Sequence, residues 1–208
     1  MIKNVVLDPG HGGIDRSGKY TTAPAKMYKF PNGEVAYEGV LNRAIAKEVA
    51  RCLEGESGIN VIFTVSPEDP KDVSLSERVR ITNKYNSKET VFISIHCNAS
   101  ASHKGEGFEI YTTKGTTKSD RLAELIADSA EVSIKDVSMK LRYDLSDKDK
   151  DKEANFKVIR ETNCPAVLVE CGFFDNEKDF KNLKDPRFQA DLGSRIYTGI
   201  LNYINENR

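Results

Sequence analysis

Three histidines occur in the 208 residues, His11, His96 and His103, and two of them stand where chemistry is expected. His11 lies inside Asp8-Pro9-Gly10-His11-Gly12-Gly13, directly after the apolar run Val5-Val6-Leu7, and its flanking glycines let backbone approach a ligand closely. His96 falls at the end of a second apolar run, Val91-Phe92-Ile93-Ser94-Ile95. Glu170 interrupts a third, Val167-Leu168-Val169-Glu170-Cys171, where an ionised carboxylate costs several kcal/mol unless something cationic compensates it. Glu38 closes the long loop that His11 opens. Two imidazoles, one carboxylate and a position left to water are the donor set of a catalytic zinc ion. A second carboxylate, not spent on the metal, can take a proton from water and pass it to a leaving amine. The assignment is therefore His11, Glu38 and His96 as metal ligands and Glu170 as the catalytic general base and then acid. Desolvation among its apolar neighbours raises the Glu170 pKa toward the range useful at neutral pH.

Each residue also has a plain structural reading. A histidine can simply be hydrogen-bonded, and an acid at a helix start such as Glu38 interacts favourably with the helix dipole. Arg78 or Arg160 could pair with Glu170 in place of a metal. His103, in a Ser/Lys/Gly loop, is expected to be an exposed surface residue. A Cys97/His103 nucleophile pair is disfavoured because Cys97 falls on the apolar face and makes a poor thiolate. Gly10-His11-Gly12-Gly13-Ile14-Asp15 fails the dinucleotide fingerprint at its last glycine, and the sequence contains no phosphate-binding G-x-x-x-x-G-K-[ST], no G-x-S-x-G and no H-E-x-x-H.

The elements that must position these residues follow from periodicity. Strands are predicted over 5–7, 59–65, 89–97 and 165–172, with 107–112 pairing beside them. Helices are predicted over 39–53, 74–85, 119–134 and 187–203, the second opened by a capping box of Ser74 and Glu77. Strands alternating with amphipathic helices give an α/β fold, a single three-layer domain with a mostly parallel twisted sheet flanked by helices. In such sheets ligands sit beyond the carboxyl ends of the strands, which brings His11, His96 and Glu170 to one edge. The two-residue strand period sets His96 opposite Ile95 and Cys97. Residues 14–37 have no period and form a loop of functional length, whereas 147–153 alternate acid and base and read as a solvated loop.

Composition narrows the classes. Lysine plus arginine number 31 against 32 acids, a net charge of −1, which disfavours nucleic-acid and anionic-membrane binding. No apolar run approaches the ~20 residues of a membrane span, so no membrane insertion is expected. The amino terminus is too short in apolar residues for an export signal. Four cysteines without a C-x-x-C pair read as free thiols, Cys97 and Cys171 as small buried hydrophobes. A chain of this length holds a core without a metal, so a bound metal serves chemistry. Residues 1–208 are expected to form one catalytic domain without a separate binding module, and a monomer is the default oligomeric state.

The sequence resembles the zinc-dependent N-acetylmuramoyl-L-alanine amidases of the Amidase_3 type, bacterial and phage cell-wall hydrolases, nearly end to end. The likeness rests on five ordered blocks: Val6-Leu7-Asp8-Pro9-Gly10-His11-Gly12-Gly13; Glu38 with Leu41-Asn42; Leu75 and Arg78-Val79 before Phe92 to Ala99; Gly107-Phe108-Glu109; and Val158-Ile159-Arg160 before Pro165 to Phe173. It implies one zinc ion per chain on His11, Glu38 and His96, Glu170 as catalytic carboxylate, and hydrolysis of the amide joining N-acetylmuramic acid to L-alanine in peptidoglycan. Asn98 is assigned to holding substrate or orienting His96. The aromatics Tyr20, Tyr28, Phe30 and Tyr37 of the long loop either stack on sugar and stem peptide or pack the loop onto the core. Action at the cell wall without an export signal implies phage-type release or a signal already removed. The competing functions are a zinc peptidase trimming the stem peptide as a carboxypeptidase, and a non-catalytic peptidoglycan-binding module.

Overall fold

In chain order the strands are β1 (Asn4–Pro9), β2 (Met27–Lys29), β3 (Val35–Tyr37), β4 (Asn60–Phe63), β5 (Thr90–Asn98), β6 (Glu109–Thr112), β7 (Lys152–Glu153) and β8 (Ala166–Phe173). The helices are α1 (Glu38–Leu53), α2 (Leu75–Thr82), α3 (Lys118–Asp136), α4 (Lys157–Arg160), α5 (Glu177–Leu183) and α6 (Pro186–Glu206). This computed structural model describes residues 1–144 and 149–208. Six strands form one sheet in the order β4-β1-β5-β8-β6-β7. The four β4-β1-β5-β8 run parallel, and β6 is antiparallel to β8.

Alternation along the strands separates two cores. Val5, Leu7, Ile93, Ile95, Val167 and Val169 enter the larger core with the apolar faces of α1, α3 and α6. Val6, Phe92, Ala166 and Leu168 point the other way, onto Val158 and Ile159 of α4, against which α2 packs. Fully burying a side chain such as Phe92 contributes about 1.5–3 kcal/mol. The result is helix, sheet, helix: the expected three-layer α/β architecture. On the α2/α4 face the apolar residues give way to polar ones toward the carboxyl edge, and the site begins there.

Helix starts follow their caps. The Thr117 hydroxyl accepts from Ser119 N, and Asp120 reaches back to Thr117 N, closing a capping box that opens α3. Ser74 Oγ accepts from Glu77 N at the start of α2. The predicted loop 14–37 contains the β2–β3 hairpin, and its aromatics pack it down: Tyr20 OH accepts from Gly39 N at 3.0 Å, and Phe30 stacks on Phe180 with ring centroids 4.9 Å apart. Sugar stacking is therefore not the role of Tyr20 or Phe30, both of which are buried. The predicted solvated loop 147–153 is corrected over its second half. Asp151 is buried, with Thr112 Oγ1 donating to its Oδ2 at 2.5 Å, and Lys152–Glu153 pair with β6. Residues 147 and 148 of that segment lie outside the described residues.

Candidate metal centre

Three strand ends and one helix start build the site. In β5, Val91, Ile93, Ile95 and Cys97 face the larger core, so Phe92, Ser94, His96 and Asn98 share the opposite face, as the strand period predicts. His96 is the register partner of Glu170 in β8, and Asp8 of β1 is that of Ser94. The chain leaves β1 through Gly10, whose N donates to Ile95 O at 3.0 Å, and His11 follows with φ 63°.

That left-handed turn is clamped through one carbonyl. His11 O accepts from Arg43 Nη1 at 2.8 Å and from Arg78 Nη2 at 3.4 Å. Arg78 is anchored in turn by the buried Asp8 carboxylate at 2.7 Å, which also accepts from Ser94 Oγ and Thr64 Oγ1. Burial alone would raise the Asp8 pKa; the Arg78 charge and the hydroxyl donors outweigh it and hold Asp8 below the usual carboxylate range. Close approach does the rest. A Cβ on Gly10 would stand 2.2 Å from His96 Cε1, and one on Gly39 would stand 1.9 Å from Gly12 O, so glycine is what lets the loop, the imidazole and the start of α1 meet.

Glu38, the first residue of α1, is buried beneath the two imidazoles. Its Oε1 lies 3.0 Å from His96 Nδ1 and 3.2 Å from His11 Nε2, while Asn42 Nδ2 reaches Gly10 O at 3.1 Å and Glu38 Oε1 at 3.5 Å. One ligand atom from each of His11, Glu38 and His96 lies within 4.8 Å of the others, and His11 Nε2 and Glu38 Oε2 are buried without a hydrogen-bond partner. Glu38 Oε2 also faces Lys26 Nζ at 3.6 Å. Ligand atoms ~2.1 Å from a tetrahedral zinc ion stand roughly 3.4 Å apart, so these separations, with two ligand atoms left without a hydrogen bond, fit such an ion. Protonation agrees. Burial favours neutral, ligand-competent His96, against the pull of Glu38. Burial alone would raise the Glu38 pKa, but the two imidazoles outweigh it and keep the carboxylate ionised.

Glu170 is half-buried with a buried, unpartnered Oε2. Burial first, then repulsion from Glu38 and Glu109, lifts its pKa well above the carboxylate range, against the pull of Lys26. Neither proposed arginine pairs with it: Arg78 holds Asp8, and Arg160 lies on Asn155 and Glu161.

Residues 5–202 match the protein family described as N-acetylmuramoyl-L-alanine amidase, Amidase_3. The chain belongs to this family. It is 33% identical over 210 residues to the N-acetylmuramoyl-L-alanine amidase CwlM of Bacillus licheniformis, covering 99% of this chain and 70% of that protein. It is 30% identical to an uncharacterised cell wall amidase of Bacillus anthracis, covering 97% of this chain but only 35% of the relative, so it spans about a third of that protein's length. A crystal structure of an N-acetylmuramoyl-L-alanine amidase from Clostridium difficile 630 superposes with a TM-score of 0.77 at 29% identity, covering 98% of this chain and 97% of that one. The family match and the superposition thus agree with the family and fold read from the sequence.

Two more residues singled out in the sequence, Asn98 and His103, have partners in this amidase-family chain. Among the described residues Asn98 makes no hydrogen bond to His96; its Nδ2 donates to Glu109 Oε2 at 2.7 Å and its Oδ1 accepts from Ala99 N at 2.8 Å. His103 is exposed as expected, yet not idle: Nδ1 lies 2.8 Å from the buried Asp175 Oδ2, and its ring lies 4.5 Å from that of Tyr28. The supports Arg43, Asn42 and Asp8 were missed as such. Their only sequence signal is a polar residue at a position whose neighbours' spacing marks it as buried, as with Asn42 beside Leu41 and Ile45 on α1.

Proposed function

We propose that the protein is a zinc-dependent N-acetylmuramoyl-L-alanine amidase, hydrolysing the amide between the lactyl group of N-acetylmuramic acid and the L-alanine of peptidoglycan. The observation that carries this reading is the convergence of His11, Glu38 and His96 within 4.8 Å in a chain of the Amidase_3 family. His11, Glu38 and His96 would hold a zinc ion, which would supply a Lewis acid able to polarise a carbonyl and lower the pKa of water to about 7.

The chain's own groups do the remaining work. Glu38, ionised and fixed by Asn42, and the two imidazoles supply the ligand atoms. Arg43 and Arg78 hold His11 in its turn, so the donor set is in place before substrate arrives. Glu170 takes a proton from the attacking water on a carboxylate oxygen and delivers it to the nitrogen of L-alanine as the C–N bond breaks. Asn98 serves the substrate indirectly, by fixing Glu109. Residues 1–208 act as one catalytic domain and as a monomer, at the cell wall where the polymer lies. Among the described residues, no helix is long and apolar enough to cross a membrane.

Digestion of purified peptidoglycan by the zinc-loaded protein tests the reading. New L-alanine amino termini without new reducing sugars are expected. Release of free terminal amino acids would move the assignment to a carboxypeptidase, and stoichiometric zinc without any product would leave a binding module.

A further inference from the structure

A second polar cluster lies one strand beyond Glu170. Glu109 of β6 is the register partner of Glu170 across the antiparallel β6–β8 pair, and it is buried. Its Oε2 accepts from Asn98 Nδ2 at 2.7 Å and the Tyr111 hydroxyl at 2.9 Å; its Oε1 accepts from Arg142 Nε at 2.5 Å and Lys152 Nζ at 2.7 Å. Two cations thus meet one carboxylate beside the proposed catalytic residue, and the cluster keeps a surplus positive charge.

Arg142 uses only Nε in this cluster. Neither of its Nη groups makes a hydrogen bond or ion pair among the described residues, and 39% of its side chain is open to solvent. The guanidinium carbon lies 5.3 Å from the centroid of the Phe173 ring, at the end of the strand that carries Glu170. Pinned at Nε by a buried acid and laid on an aromatic ring, the guanidinium is a planar fork whose orientation is already fixed. That is the geometry that binds a carboxylate through two parallel hydrogen bonds.

The chemistry of the substrate says which side of the scissile bond would supply this group. The lactyl carboxyl of the sugar is consumed in the amide, so the free carboxylates of a muramoyl peptide lie on the peptide. We propose that the Nη edge of Arg142, backed by the charge of Lys152, binds a carboxylate of the stem peptide and so selects substrates that carry it free; this rests on the amidase reading. Arg142 is then a specificity residue, and Glu109 its positioning residue.

The test uses muramoyl tripeptides in which each carboxyl in turn is left free or converted to its amide, which also identifies the carboxyl recognised. For the wild type, amidation at one position should raise KM about 10- to 100-fold with little change in kcat. In Arg142→Ala that ratio should collapse to near one, and Arg142→Lys, which keeps charge but not the fork, should retain part of it. If Arg142→Ala does not fold, Arg142→Lys and Lys152→Ala carry the same comparison. A wild type indifferent to amidation at every position, or an Arg142→Ala that keeps the wild-type ratio, overturns the proposal while leaving the amidase reading intact. Failure of the wild type to cleave the muramoyl–alanine bond in any of the peptides removes the amidase reading, and the proposal with it.

Discussion

His96 and Glu170 are direct register partners in adjacent parallel strands, and their side chains leave the sheet on the same face. The spacing of the proposed imidazole ligand from the proposed proton-transferring carboxylate is therefore set by the inter-strand distance, about 4.8 Å, rather than by a loop. The same face carries Asp8 and Ser94 one pleat earlier, hydrogen-bonded to each other, so the row behind the site is locked as well.

Glu170→Gln preserves shape and removes the proposed proton shuttle. The variant should bind zinc with wild-type stoichiometry and lose at least ~10²-fold in turnover on peptidoglycan. Metal analysis beside steady-state rates checks both halves, and undiminished turnover would assign the proton transfer to another group.

Gly10→Ala asks whether backbone proximity positions His96. The new methyl would meet the imidazole at 2.2 Å from Cε1, 2.4 Å from Nε2 and 2.6 Å from Nδ1, so the ring must leave its present position. Zinc affinity, measured by competition with a chelator, should fall by about 10-fold or more while the circular dichroism spectrum is retained. Unchanged affinity would show that the ring has room to accommodate the methyl.

Much of this was legible in the sequence because burial and period are local signals. The alternation through Phe92, Ser94 and His96 against Ile93, Ile95 and Cys97 set the face of one proposed ligand, and the apolar run around Glu170 marked a carboxylate in need of a reason. What was not legible depends on distant contacts. Arg78 reads as one more charge on a short helix until Asp8, seventy positions away, is seen to hold it. The four-residue α4 offers too few positions for a period. Lys152–Glu153 alternates charge like a solvated loop, and only the β6 edge makes it a strand. Asn176, which accepts from Lys178 N and Asp179 N, was a usable start signal for α5.

Arg78→Met separates the buried arginine from an exposed one. It leaves the Asp8 carboxylate fully buried without its cation, which costs on the order of 3–5 kcal/mol. For a chain of this size that is a fall in Tm of about 10 °C. Arg160→Met, which removes only contacts to Asn155 and Glu161 at the surface, should stay within about 0.5 kcal/mol of the wild type. Equal losses in thermal melts would mean that the Asp8 pair contributes no more than a surface contact.

Asp151 gives a pH signature at the end of β6 remote from Glu109. Burial pushes its pKa up to about 6; the Thr112 hydrogen bond opposes this, and the charges of Asp149 and Asp120 add to it. Its Oδ1 is buried without a hydrogen-bond partner. The folded-state pKa stands above the unfolded value of about 3.9, so between these two values the folded chain binds more protons than the unfolded one. This contribution is present below about pH 4, is lost as pH rises through 6, and amounts to on the order of 2 kcal/mol. Asp151→Asn has no charge to bury and can still accept from Thr112. Its Tm should match the wild type near pH 4 and exceed it by about 5 °C at pH 7.5. A difference between the two proteins that stays constant across that range would mean that Asp151 does not change protonation on folding.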